Sequence, residues 1–194
     1  DLRQAGAAYA RAVLDLLHDA RLNNEIVFEL FAMPPAGYLE AIDRSLRHWS
    51  LELSPESHDQ ALRRTQDVTV TFTNEEMESI IHQALALRCT RVDVFFMIGL
   101  SGQTCASVME SIDYCARLFE LSDARLSCFI SPMGPFLDPA SKAFEEPERY
   151  GYRIFARTLE EHRRLLVQPS WKQILNYETE WMSRDEMAAV TYDA

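Results

Sequence analysis

One stretch limits the folds open to this chain. Residues 91–104 read RVDVFFMIGLSGQT. Val92, Val94, Phe95, Phe96, Met97 and Ile98 form an apolar run that stops at Gly99. A polar turn with a second glycine, Ser101-Gly102-Gln103-Thr104, then leads into an amphipathic segment. A β-branched and aromatic run of this kind suits a strand buried on both faces, as parallel sheets require. A glycine turn from such a strand into a helix is where α/β proteins place ligand-binding loops.

The rest of the sequence repeats this alternation. Apolar residues at near-3.6 spacing predict a helix over 1–20, and Glu25–Met33 (EIVFELFAM) reads as a buried strand with Glu29 as an odd charge in its middle. Pro34-Pro35-Ala36-Gly37 breaks that strand, and a helix over 38–48 and a strand over 49–53 follow. Ser57 and Gln60 have capping-box spacing for a short helix, and Thr73 and Glu76 have it for a helix over 74–87. Asp67–Phe72 alternates as a strand or an extended connection would. A helix over 105–120 and a strand over 125–130 complete the series. Beyond a proline-punctuated loop at 131–139, residues 150–166 and 170–194 read as helical.

Strands alternating with helices imply parallel pairing through right-handed crossovers. With four clear strands in 194 residues, the expected fold class is α/β. A closed barrel of eight such units needs about 250 residues. A small doubly wound sheet and an arc of a larger barrel both satisfy the pattern. The expected division is 1–133 for the α/β part and 134–194 for a mostly helical C-terminal extension covering it.

Composition narrows the function classes. A net charge of −11 disfavours a nucleic-acid backbone or an anionic membrane as partner. No apolar run approaches the roughly 18 residues of a membrane span, and no secretory leader is visible. Cys89, Cys105, Cys115 and Cys128 are scattered, without CxxC grouping, so they predict no local metal site and no disulfide framework. A cytoplasmic location is expected.

Several stretches together resemble the catalytic domain of radical S-adenosylmethionine (radical SAM) enzymes, and most nearly the class that carries a cobalamin-binding domain upstream. FFMIGLSGQT is similar to that group's GLPGxT turn after the fifth barrel strand, with Ser101 in place of proline. SLELSPES resembles the fourth strand and its GxxS-like end, with Ser54 and Pro55 departing from the usual residues. IVFELFAMPP resembles the third strand, whose mid-strand acid is matched by Glu29. The likeness covers about Glu25–Pro132.

The resemblance implies a partial TIM-like (β/α) barrel of about four parallel strands with crossover helices. It implies S-adenosylmethionine and a 4Fe–4S cluster as cofactors, with cobalamin through the class. Glu29 would bond a ribose hydroxyl, Glu56 and Ser57 would lie near the same sugar, and Ile98, Gly99, Leu100 and Gly102 would meet the adenine. The family's CxxxCxxC loop has no counterpart in this sequence. The expectation is therefore a C-terminal fragment whose partner is the upstream part of its own chain. Alone it is expected to be inactive and to hold neither cluster nor cobalamin.

Other readings stay open beside this one. Gly99 and Gly102 suit any tight turn, Glu29 suits a salt bridge to a helix arginine or a place at the strand end, and Glu56 and Ser57 suit helix capping. The whole chain also fits a non-enzymatic α/β interaction module, or a small intact enzyme with a ligand at the Gly99–Gly102 turn. An arc of barrel leaves an edge at the strand holding Glu29. Self-association there, or cover from the helix over 1–20, is expected.

Overall fold

The structure is a computed structural model that describes residues 1–65, 72–121, 123–132 and 137–194. A 3-10 turn, Leu2–Ala5, precedes helix α1, Ala7–Ala20. Gly6, at φ +98°, separates them and interrupts what the sequence pattern runs together as one helix. Then come β1 (Ile26–Leu30), α2 (Tyr38–Ser45), β2 (Trp49–Glu56), α3 (Gln60–Thr65), α4 (Asn74–Ala86), β3 (Cys89–Ile98), α5 (Cys105–Leu121) and β4 (Leu126–Pro132). The four strands form one parallel sheet in the order β1-β2-β3-β4. β1 and β2 run in register, with Phe28 opposite Leu51 and Glu29 opposite Glu52. Sheet order equals chain order, as expected for successive right-handed crossovers. The strand or connection expected over 67–72 lies largely outside the described residues.

Local chemistry sets several boundaries. Thr73 and Glu76 close the expected capping box on α4. At α3 the cap is different. The Asp59 carboxylate accepts the Ala61 and Leu62 amides, and the Ser57 hydroxyl accepts the Asp59 amide. Ser57 and Gln60 thus form no box; Asp59 stands between them with a better acceptor.

The C-terminal region is helical as expected, in α6 (Lys142–Glu145), α7 (Leu159–Leu166), α8 (Trp171–Ile174) and α9 (Arg184–Asp193). It also contains a ribbon that the helical pattern hid: β5 (Tyr152–Ile154) pairs antiparallel with β6 (Tyr177–Thr179). Three-residue strands are too short to show period-two alternation.

The chain divides into two compact units. The first comprises Asp1–Pro55, Thr69–Phe95 and Cys115–Phe129. Its buried residues include Leu39 and Ile42 of α2, Trp49, Leu51 and Leu53 of β2, Met77 and Ile81 of α4, and Val92 and Val94 of β3. Phe95, on the opposite face of β3, is only half-buried and stacks on Phe129 at 4.9 Å, with Phe129 45% exposed. That sheet face is thus partly open in this unit, where the sequence suggested cover on both sides. The second unit comprises Glu56–Val68, Phe96–Tyr114 and Ile130–Ala194. Its core joins Ile98 and Val108 to Leu137, Phe144, Tyr152, Tyr177, Met187 and Val190.

Candidate site at the Gly99 turn

In the second unit the chain leaves β3 through Gly99, at φ +93°, a left-handed value that favours glycine. Gln103 folds back on this turn. Its Oε1 accepts the Gly99 amide at 2.8 Å and the Leu100 amide at 3.2 Å, and its Nε2 donates to the Met97 carbonyl at 2.9 Å. Gln103 is buried, so these bonds are shielded from water. Tyr152 donates its hydroxyl to the Gly99 carbonyl at 3.2 Å. Burial raises the Tyr152 pKa, with a further push from Glu56, so this hydroxyl keeps its proton. A Cβ on Gly99 would lie 2.9 Å from both Met187 Sδ and Tyr177 Oη. Gly102 also has a left-handed φ of +82°, and Thr104 caps α5 by accepting the Ser107 amide.

The expected adenine-contact residues therefore lie together but differ in access. Ile98, Gly99 and Leu100 are buried, and both polar groups of Gly99 are engaged within the unit. Gly102 is exposed. The decisive residues for this closure, Gln103 and Tyr152, have no signal in the sequence beyond a glutamine four places after Gly99 and directly after Gly102.

Glu56 and Ser57 belong to the same unit. Glu56 ends β2 at φ +65°, a left-handed value costly for a side-chain-bearing residue. Burial raises its pKa. Ser57 is fully buried, and its carbonyl accepts Arg63 Nη1 at 3.2 Å. Its polar groups hold the start of α3. His58, next in sequence, bonds Ser111 through Nδ1 at 2.8 Å and lies 3.7 Å from the Glu110 carboxylate.

Glu29 lies in the first unit as the next-to-last residue of β1, close to the strand end that the sequence left open, and among the described residues it bonds a hydroxyl rather than an arginine. Ser54 donates its hydroxyl to the Glu29 carboxylate at 3.1 Å. Glu52 stands opposite Glu29 in the ladder, and its pKa is raised by burial and then by the charges of Glu29 and Asp93, with Arg91 opposing. Asp93 pairs with Arg91 at 2.7 Å, while its Oδ1 is buried without a hydrogen-bond partner among the described residues. Acids at alternate positions of two apolar runs, Glu52 and Asp93, are the missed members of this cluster, and period-two reading of the sequence would have found them.

No family model matches the chain, and no curated protein matches it. Among solved structures, coproporphyrinogen III oxidase (HemN) from Escherichia coli, described as a radical SAM enzyme, matches with a TM-score of 0.51 and 16% identity. The match covers 91% of this chain and 46% of that one. The chain shares its fold with a radical SAM enzyme. It spans about half the length of that neighbour.

A 4Fe–4S cluster does not fit the residues present. Among the described residues no three His, Cys, Asp or Glu side chains are grouped to hold a metal, and all four cysteines are free thiols. Cys115 and Cys128 are hydrogen-bonded to each other, which lowers the pKa of Cys115 and raises that of Cys128. S-adenosylmethionine fits in part. Glu56 offers a carboxylate and Gly102 an exposed glycine, but the Gly99 amide is already taken. Among the described residues no helix is long and apolar enough to cross a membrane.

Proposed function

We propose that these residues are the C-terminal part of a radical SAM catalytic barrel of the cobalamin-associated class. The supporting observation is the likeness of fold to a radical SAM enzyme over 91% of the chain. In this reading residues 1–133 are the barrel portion and 134–194 its extension, and cluster ligands come from chain outside these residues. Bound S-adenosylmethionine would supply the adenosyl group. Ile98, Gly99, Leu100 and Gly102 form its adenine end, and Glu56 and Ser57 lie near its ribose. Glu29 is assigned to a ribose hydroxyl on the resemblance alone. The residues here position and desolvate the nucleoside. Four free thiols accord with a cytoplasmic setting. The edge strand β1, with Val27 44% exposed, is the proposed route of self-association.

Calorimetric titration with S-adenosylhomocysteine tests this. Saturable binding that weakens in Gly102→Val and Glu56→Ala is expected. Absence of binding, or binding indifferent to both changes, would leave the alternative of a non-enzymatic interaction module. That second reading draws on one observation: both polar groups of Gly99 are spent within the unit, so the turn serves its own fold.

A further inference from the structure

A groove of about 560 Å³ lies between α1 and α2 in the first unit. Pockets that hold small ligands run from roughly 300 to 1,000 Å³. Ala7, Ala10, Leu14 and Ala41 give it apolar walls. We propose that this groove binds a small organic phosphate, a phosphoryl group on a compact apolar body.

Charge is the first reason. Arg3, Arg11 and Arg44 line the groove against one acid, Asp15, in a chain of net charge −11. Arg3 is spent, because it bonds the Asp1 carboxylate and the carbonyls of Ala32 and Met33. Arg11 and Arg44, both exposed, have no side-chain hydrogen bond or ion pair among the described residues. They stand on different helices, so an anion in the groove is reached from both sides. The surrounding acidity makes two unmatched guanidinium groups in one groove a local exception to the chain's field.

Two further features converge there. α2 begins at the groove with Gly37 as N-cap, which supplies no side-chain acceptor; the Tyr38 amide bonds the Pro35 carbonyl, so the amides of Leu39 and Glu40 are the ones left for a ligand. Independently, Tyr38 lines the groove at 9% exposure, and its hydroxyl is buried with no hydrogen-bond partner among the described residues. Burial raises its pKa, so the hydroxyl stays a neutral donor. A buried donor left unpaired is costly, and an anionic oxygen removes that cost. Two guanidinium forks, helix amides and one hydroxyl exceed what a carboxylate's two oxygens accept. A phosphoryl group, with three oxygens and nearly two charges, matches them.

The site is independent of the radical reading, and phenyl phosphate is the probe. Calorimetry on the whole chain should give saturable one-to-one binding that weakens with added salt. Arg11→Gln and Arg44→Gln should each weaken it about 10-fold, and Tyr38→Phe should weaken it several-fold, with unchanged thermal melts for the two exposed arginine variants. Phenol should not bind, and inorganic phosphate should bind more weakly than phenyl phosphate. The proposal is overturned by no saturable binding, by undiminished binding in the double arginine variant, or by phenol binding as well as phenyl phosphate. Inorganic phosphate binding as tightly as phenyl phosphate would equally overturn it, because the apolar walls would then contribute nothing.

Discussion

Gln103 clasps Gly99 through the glycine's own amide, with Oε1 at 2.8 Å. The same side chain reaches back to the Met97 carbonyl, so one amide group bridges the end of β3 and the first residues of the turn. A backbone that must leave a strand abruptly has orphaned polar groups, and here a side chain four residues on satisfies them. The turn is therefore shaped from within.

Gln103→Ala should be costly for that reason. It leaves the Gly99 and Leu100 amides and the Met97 carbonyl without this partner. A loss of about 2–4 kcal/mol is expected, from about 1–3 kcal/mol per buried unsatisfied group with partial relaxation. Urea unfolding measures it. A loss below about 1 kcal/mol would mean water replaces the clasp without penalty.

Three glycines should rank by what surrounds them. Gly99 and Gly37 both have left-handed φ, at +93° and +81°, but only Gly99 has atoms within contact distance of a new Cβ. Gly37→Ala should cost about 1 kcal/mol, the conformational term alone. Gly99→Ala adds collision with Met187 and Tyr177 and should cost about 3 kcal/mol or more. Gly102, with Leu62 Cδ1 at 3.0 Å, should fall between them because a leucine tip can turn away. Melting temperatures of the three variants give the order, and equal shifts would contradict it.

Glu56 should make stability depend on pH. Burial raises its folded pKa above the ordinary 4.5. A raised carboxyl favours folding while protonated, so its contribution is full below the unfolded value and is lost as pH rises through the folded one. Glu56→Gln should therefore unfold at higher denaturant than the parent near pH 7. The difference should shrink towards zero below about pH 4, where both side chains are neutral. A pH-independent difference would remove burial of the charge as its cause.

Asp43 should act in the opposite sense. Burial alone raises its pKa, but hydrogen bonds from the Trp49 indole at 3.0 Å and from the Arg88 amide and side chain outweigh this and hold it low. A depressed carboxyl stabilises above its unfolded pKa and loses that contribution as pH falls through the folded value. Asp43→Ala strands the indole of fully buried Trp49 and should cost about 2–3 kcal/mol at neutral pH. The deficit should narrow on acidification below about pH 4.

Much of the fold was legible because it rests on periodicity. The run from Val92 to Ile98, the stripe of Met77, Ile80, Ile81 and Ala84 and the Thr73–Glu76 cap are local patterns, and each produced its element. Tyr152–Ile154 and Tyr177–Thr179 were not legible, since two three-residue strands gain meaning only when they meet. The candidate site divides in the same way. Gly99 and Gly102 announce a turn in sequence, whereas Tyr152 comes 53 residues after the carbonyl it binds. Glu52 and Asp93 were overlooked because an acid within an apolar strand attracts notice singly, and their electrostatic meaning lies in having Glu29 nearby.

The core of the second unit has a consequence for how the protein is made. Ile98 and Val108 are made before their companions Tyr177, Met187 and Val190, which emerge from the ribosome some eighty residues later. At about 5–20 residues per second, Ile98 waits seconds for the side chains that cover it. During that interval the newly made β3 end has only part of its core, Leu137, Phe144 and Tyr152 arriving first. Chaperone demand, and the yield of soluble protein on expression, should thus be governed by translation through the last third of the chain.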